Sequence, residues 1–96
     1  MDAASIIRAI DNAFLKDEEY ENTRQALKHK LAVWIQGYTN RRGRAPTVAE
    51  KRRNTKDLYA DYQRVRAEQM RNYDRIQSLL DRIGMTFQEY QAMGGG

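Results

Sequence analysis

A chain of 96 residues has room for one small helical or mixed domain and no second core. At 41% apolar and 31% charged residues it is too apolar for typical disorder and too charged for a thick globular core, a balance common in long helices and coiled coils. It has no cysteine, which excludes disulfide frameworks, thiolate chemistry and cysteine zinc sites, and fits an intracellular protein.

The longest unbroken apolar run, Leu31 to Ile35, falls far short of the roughly 20 residues that a membrane-spanning helix needs. Met1 and Asp2 lead into a mixed segment containing Asp11, without the basic start and long apolar middle of a signal peptide. The net charge of +4 conceals an asymmetry. Residues 1–21 hold six acids against Arg8 and Lys16, while residues 41–56 hold seven bases against Glu50. A basic cluster of that kind attracts nucleic acid, acidic protein surfaces or anionic lipid, and charge alone does not choose among them.

In chain order, no proline or glycine interrupts residues 2–36, and apolar residues recur at Ile6, Ile10, Ala13 and Phe14, then at Leu27, Leu31, Trp34 and Tyr38. Those are helical spacings, and they predict one long arm over residues 3–40. Asn22, with Gln25 three residues on, supplies a cap signal that places a bend, if there is one, near residues 21–23. Gly37 weakens a helix interior by about 1 kcal/mol relative to alanine, so the arm is expected to fray or end soon after it. Residues 41–46 read as a turn: Gly43 can take a positive φ, and Pro46 disfavours helix at Ala45.

Thr47 and Glu50 have the spacing of a capping box that starts the second arm, residues 47–83. Its apolar stripe runs Leu58, Tyr62, Val65, Tyr73, Ile76, Leu80, Ile83, with Gln69 in the missing place. That is nearer an 11-residue repeat than a heptad, so little left-handed supercoiling is expected. Gly84 sits where a glycine closes a helix. Thr86 and Glu89 repeat the capping box, with Met85 and Tyr90 placed as a hydrophobic staple, and predict a short helix over 86–93. The glycines at 94–96 should fray.

Folding the chain about Gly43 brings Ile6, Ile10 and Phe14 near Leu80, Ile76 and Tyr73. It also sets the acidic run 17–21 opposite Arg64, Arg66 and Arg71, and Arg24 and Lys28 near Asp61 and Asp57. Two independent patterns agree, so the predicted fold is all-α: an antiparallel long-helix hairpin with a short C-terminal helix, forming a single domain over residues 1–96. A three-helix bundle, with residues 3–20 folding back separately, would leave much of the second arm unsupported.

Near the corner the apolar residues Leu31, Val33, Trp34, Ile35 and Tyr38 wrap more than one helix face, yet the opposing segment holds Lys51, Arg52 and Arg53. Apolar surface is left over. The expected partner-binding residues are therefore Leu31, Trp34, Ile35 and Tyr38, rimmed by Arg41, Arg42, Arg44, Lys51, Arg52, Arg53 and Lys56. The alternative is that arginine stems cover the indole inside the hairpin by packing and cation–π contact.

Trp34, Tyr38, Gly43-Arg44-Ala45-Pro46-Thr47, Glu50, Leu58-Tyr59-Ala60-Asp61-Tyr62 and Val65-Arg66 together resemble the W…F/Y…GRxPT…D/E…Y-x-x-Y signature of two families. One comprises replication-initiation proteins related to the Rothmund-Thomson helicase, in their amino-terminal segment. The other is a family of Rho-GTPase-activating proteins, near the C-terminus. The resemblance covers residues 30–66, and nothing in residues 1–25 or 70–96 extends it. It implies a helix-turn-helix interaction element, which in the replication proteins belongs to a region implicated in DNA and partner binding.

No catalytic constellation stands out. His29 is the only histidine and lies among Lys28, Lys30 and Arg24, without the carboxylate or cysteine neighbours of a metal site or triad. Ser5 and Ser78 lie in no nucleophile motif, and no glycine loop is shaped to cradle phosphate. Tyr59, Tyr62 and Tyr73 lie at helical spacing and read as core or seam residues before base-stacking platforms. The expected function is thus non-enzymatic and cofactor-free. It is that of a structural or adaptor subunit docking on a larger protein assembly, or forming a homo-oligomer, through the apolar patch and basic corner. The alternative is a small nucleic-acid-binding module whose basic turn contacts phosphates.

Overall fold

The computed structural model describes residues 2–94, and Gly95 and Gly96, expected to fray, lie outside the described residues. Among the described residues 88% are helical and none forms a strand, so the fold class is the predicted one. The helices are α1 (Ala3–Arg42), α2 (Val48–Asn54), α3 (Lys56–Arg82) and α4 (Phe87–Gly94). No helix among the described residues is long and apolar enough to cross a membrane.

α1 starts under a cap that the sequence reading did not single out. The Asp2 side chain accepts the Ser5 backbone N–H at 2.8 Å, and that bond holds the carboxyl below the usual aspartate range. The helix then runs without interruption through residues 21–23 and past Gly37 to Arg42. The penalty for glycine is outweighed because Tyr38, the next residue, is buried and its ring lies 5.4 Å from that of Trp34 one turn back. Arg41 and Arg42 in the last turn also suit the negative end of the helix dipole. Gly43, at φ 71°, closes the helix by donating its N–H to the Thr39 carbonyl at 2.8 Å.

The second arm is not the single helix expected over residues 47–83. It breaks at Thr55, whose φ of −123° and ψ of 28° open the ladder between α2 and α3. Two adjacent side chains turn back on the preceding turn: the Asn54 amide donates to the Glu50 carbonyl, and the Thr55 hydroxyl donates to the Lys51 carbonyl. Such bonds compete with the regular backbone pattern and bend helices. Thr55 is only 3% exposed, so its hydroxyl has to find a partner inside the chain.

The chain divides into two compact units. The first comprises Met1–Glu19 and Glu68–Gly96. Its core is Ile6, Ile10 and Ala13 of α1 against Ile76, Leu79 and Leu80 of α3, with Tyr90 of α4 closing the cluster. Ile10, Ile76 and Leu80 are fully buried, as the expected seam requires. Asn72 donates to the Ala13 carbonyl at 2.8 Å and Gln69 to the Asp17 carboxylate at 3.1 Å, so the helices pair antiparallel. Gln69 occupies the missing apolar place as a hydrogen-bond donor. A Schellman pattern ends α3: Gly84 N–H bonds to Asp81 and Met85 N–H to Leu80, with Gly84 at φ 67°. The Thr86–Glu89 capping box is closed by reciprocal bonds of 3.1 Å, and α4 lays Phe87 and Tyr90 on Phe14, with ring centroids 5.0 and 5.6 Å away.

The second unit is Tyr20–Ala67. Here too the pairing is antiparallel, with Leu27 of α1 and Val65 of α3 buried and Arg24 donating to the Tyr62 hydroxyl at 3.1 Å. Arg24 also pairs with Glu21, and Arg64 with Asp61. Arg24 and Arg64 were expected to reach acids on the other arm. Each of these two ion pairs joins residues three apart on one helix, where side chains are neighbours.

Candidate functional site

The corner is assembled from three local devices. Thr47 and Glu50 form the predicted capping box, each bond 3.1 Å long. The same Glu50 carboxylate takes both terminal nitrogens of Arg44, at 2.9 and 3.3 Å, so one acid both caps α2 and fastens the turn. Arg42 and Arg44 then bring their guanidinium carbons to 5.6 Å from the Tyr38 ring centroid. The Tyr38 hydroxyl is buried and makes no hydrogen bond among the described residues.

This arrangement distributes the expected binding residues over two surroundings. Tyr38 lies inside the corner, covered by Arg42, Arg44 and Trp34. Trp34 and Ile35 are half-buried, and Arg41, Arg42, Arg44, Arg52, Arg53 and Lys56 stand exposed. The arginine contact weighed at the level of sequence thus occurs with the phenol ring of Tyr38, one turn beyond the indole.

Leu31, Lys51, Arg52 and Lys56 belong to the second surrounding, together with residues that sequence reasoning did not propose for binding. Leu31 lines a groove of about 200 Å³ with Leu27, Lys28, Leu58, Tyr59 and Tyr62. The walls are almost wholly hydrocarbon and aromatic. Across Tyr59 the groove is followed by a wider, open depression formed by Val48, Lys51, Arg52, Lys56 and Gln63. Tyr59 is thus the wall common to an apolar slot and a basic shelf. It is 37% exposed, and Val48 is 62% exposed. Tyr59 and Tyr73 were expected in the core or seam, but both are exposed: Leu58 and Tyr62 take the inward places on this part of α3 and leave the Tyr59 ring outward.

The electrostatics of this surface are those of exposed cations beside an apolar floor. Lys51 is half-buried, its stem lying along the depression. In the groove, Tyr62 of α3 has its hydroxyl held below the usual tyrosine range, chiefly because Arg24 donates to it. Arg24 is correspondingly raised. That pair joins α1 to α3 beside the groove.

Among the described residues no group of three or more histidine, cysteine or acidic side chains could hold a metal ion. His29 is exposed. Comparison with protein-family models, with curated proteins and with solved structures gives no match.

Proposed function

We propose that this chain is a non-catalytic structural or adaptor subunit, docking on a larger protein assembly through the groove at Tyr59 and the basic shelf beside it. The observation that carries this reading is the junction of an apolar slot, lined by Leu27, Leu31, Leu58 and Tyr62, with the cations Lys51, Arg52 and Lys56 across a single exposed aromatic ring. Interfaces combine a desolvated aromatic or aliphatic anchor with a polar rim that steers approach, and this surface offers both. The interaction element implied by the resemblance over residues 30–66 overlaps the same stretch of chain. Trp34 and Ile35, one turn beyond Leu31 on α1, are half-buried.

A second reading, contact with nucleic acid, has one observation in its favour: Arg41, Arg42, Arg44, Arg52, Arg53 and Lys56 are all exposed on one short stretch of chain. Against it, Tyr38, the ring closest to the basic turn, is covered by Arg42, Arg44 and Trp34 and is not open to stack on a base.

A photocrosslinking residue at position 59 of the full chain, expressed in its own cells, tests the first reading. The expected result is one discrete adduct with a protein other than this chain, which disappears with Lys51→Glu plus Arg52→Glu; an adduct of only twice the chain's own mass would count against this reading. In parallel, DNA and RNA binding is followed across a salt series. Submicromolar binding with a steep salt slope that survives Tyr59→Ala would sink the adaptor reading in favour of the second.

A further inference from the structure

Two of the exposed apolar side chains carry rims of opposite charge. Val48, 62% exposed, lines the open depression with Tyr59, and Lys51, Arg52 and Lys56 surround them. On α1, Leu15 is 61% exposed, and the residues one turn before and after it, Asp11, Glu18 and Glu19, are exposed acids. Of the four immediate neighbours on the helix surface, three and four residues to either side, three are acids and the fourth is the uncharged Asn12, so the leucine stands in a mainly acidic rim, with Lys16 paired to Glu19 beside it. One surface is a concave apolar floor with three positive charges. The other is a convex apolar knob with three negative ones.

We infer that the occupant of the depression is a second copy of this chain, its Leu15 knob set against Val48 and Tyr59 with Glu18 and Glu19 facing Lys51 and Arg52. Leu15 and Val48 are large apolar side chains left open to water, and their mutual burial is the driving term. The charges set the register and the salt dependence: at low salt the facing pairs add to the apolar contact, and reversing one rim turns that attraction into like-charge repulsion. Asp11 and Glu19 also have partners within the chain, Tyr90 and Lys16, which fix them on the α1 surface without burying them. Every copy carries one knob and one depression, so the contact either closes reciprocally into a dimer or continues from copy to copy.

The contact is small, and weak, reversible, salt-sensitive association is therefore expected. This inference goes beyond the docking reading. It shares the basic shelf and Tyr59 with that reading but does not depend on it, and a strictly monomeric chain would end the inference while leaving the position-59 adduct untouched.

The test uses charge exchange. Sedimentation equilibrium of the full chain, from about 10 to 500 µM at low salt, should show a mass rising with concentration, and about 0.5 M salt should weaken the association roughly tenfold. Glu18→Lys with Glu19→Lys, and separately Lys51→Glu with Arg52→Glu, should each be monomeric. Mixed in equal amounts they should associate again, since the basic knob of one then meets the acidic depression of the other. Circular dichroism of each variant, expected to match the parent, keeps misfolding apart from lost contact. Three results would overturn the inference: a parent chain monomeric throughout, association indifferent to both reversals, or folded variants whose mixture stays monomeric.

Discussion

The Tyr90 hydroxyl of α4 donates to the Asp11 carboxylate of α1, a bond between residues 79 positions apart that ties the last helix to the first. The same oxygen lies 3.4 Å from the Ile7 carbonyl. Burial and the neighbouring carboxylate hold Tyr90 in its neutral form, and its pKa is pushed up from the ordinary 10.0 to about 12. The folded chain binds that proton more tightly than the unfolded one. Its contribution is therefore complete below pH 10 and is lost as pH rises from 10 to about 12. Thermal melts of the parent and Tyr90→Phe should differ below pH 10, with the parent the more stable by about 1 to 3 kcal/mol, as befits a hydrogen bond to a charged acceptor. That advantage should shrink progressively as pH rises from 10 to about 12. A gap that stays constant with pH would remove Tyr90 as its source.

Core truncation should be felt in proportion to burial. Leu80 is fully buried at the centre of the first unit, and Leu80→Ala should cost about 2 to 5 kcal/mol in urea unfolding. Leu15, 61% exposed, belongs to no core, and Leu15→Ala should change stability by no more than about 0.5 kcal/mol. Equal effects at the two positions would contradict the burial pattern.

Gly37 and Gly43 should respond oppositely to the same change. A Cβ at Gly37 meets only the Arg41 Nη1 atom, at 3.3 Å, which is the tip of a flexible side chain. Gly37→Ala should therefore stabilise α1 by about 0.5 to 1 kcal/mol. At Gly43 nothing lies within 4 Å, but φ is +71°, and Gly43→Ala should cost about 1 kcal/mol through backbone strain alone. Urea midpoints moving in the same direction would contradict this account.

Those two glycines show what could be read from the sequence and what could not. Gly43 announced the corner, and pairing about it held: Asp17 meets Gln69, Arg24 meets Tyr62, and Ala13 meets Asn72, each pair equidistant from Gly43 to within a residue. Both capping boxes, Gly84 and the Ile6–Ile10–Ile76–Leu80 seam were legible for the same reason, since each depends on neighbours or on a period. After Gly37 the arm ends close to where it was expected, α1 running two residues past 40 to take in Arg41 and Arg42 of the predicted turn, with the buried Tyr38 offsetting the local glycine penalty. The break at Thr55 depends on side chains choosing the carbonyls of the preceding turn, and no period signals that choice. The return of α4 onto Phe14 and the groove at Tyr59 are contacts between distant stretches, where spacing gives a face but not its neighbour.

Tyr38 is the position where the corner holds a polar atom at a cost. Its ring is 5% exposed and clasped by Arg42, Arg44 and Trp34, while its hydroxyl is buried without a hydrogen-bond partner among the described residues. An unmet buried hydroxyl is expensive, whereas the ring contacts would survive its removal. Tyr38→Phe should then raise stability by about 1 kcal/mol, and Tyr38→Ala should lower it by about 3 kcal/mol through loss of the packed ring. Fastening by Arg44 is separable from this effect. Glu50→Gln keeps an oxygen for the Thr47 N–H but gives up the charge that Arg44 grips, so its cost should stay below about 1 kcal/mol. Glu50→Ala loses cap and clasp together and should cost about 1 to 2 kcal/mol. Chemical unfolding of the four variants decides the matter. If Tyr38→Phe proves destabilising, the phenol oxygen has a favourable partner and the corner is held by more than its ring contacts.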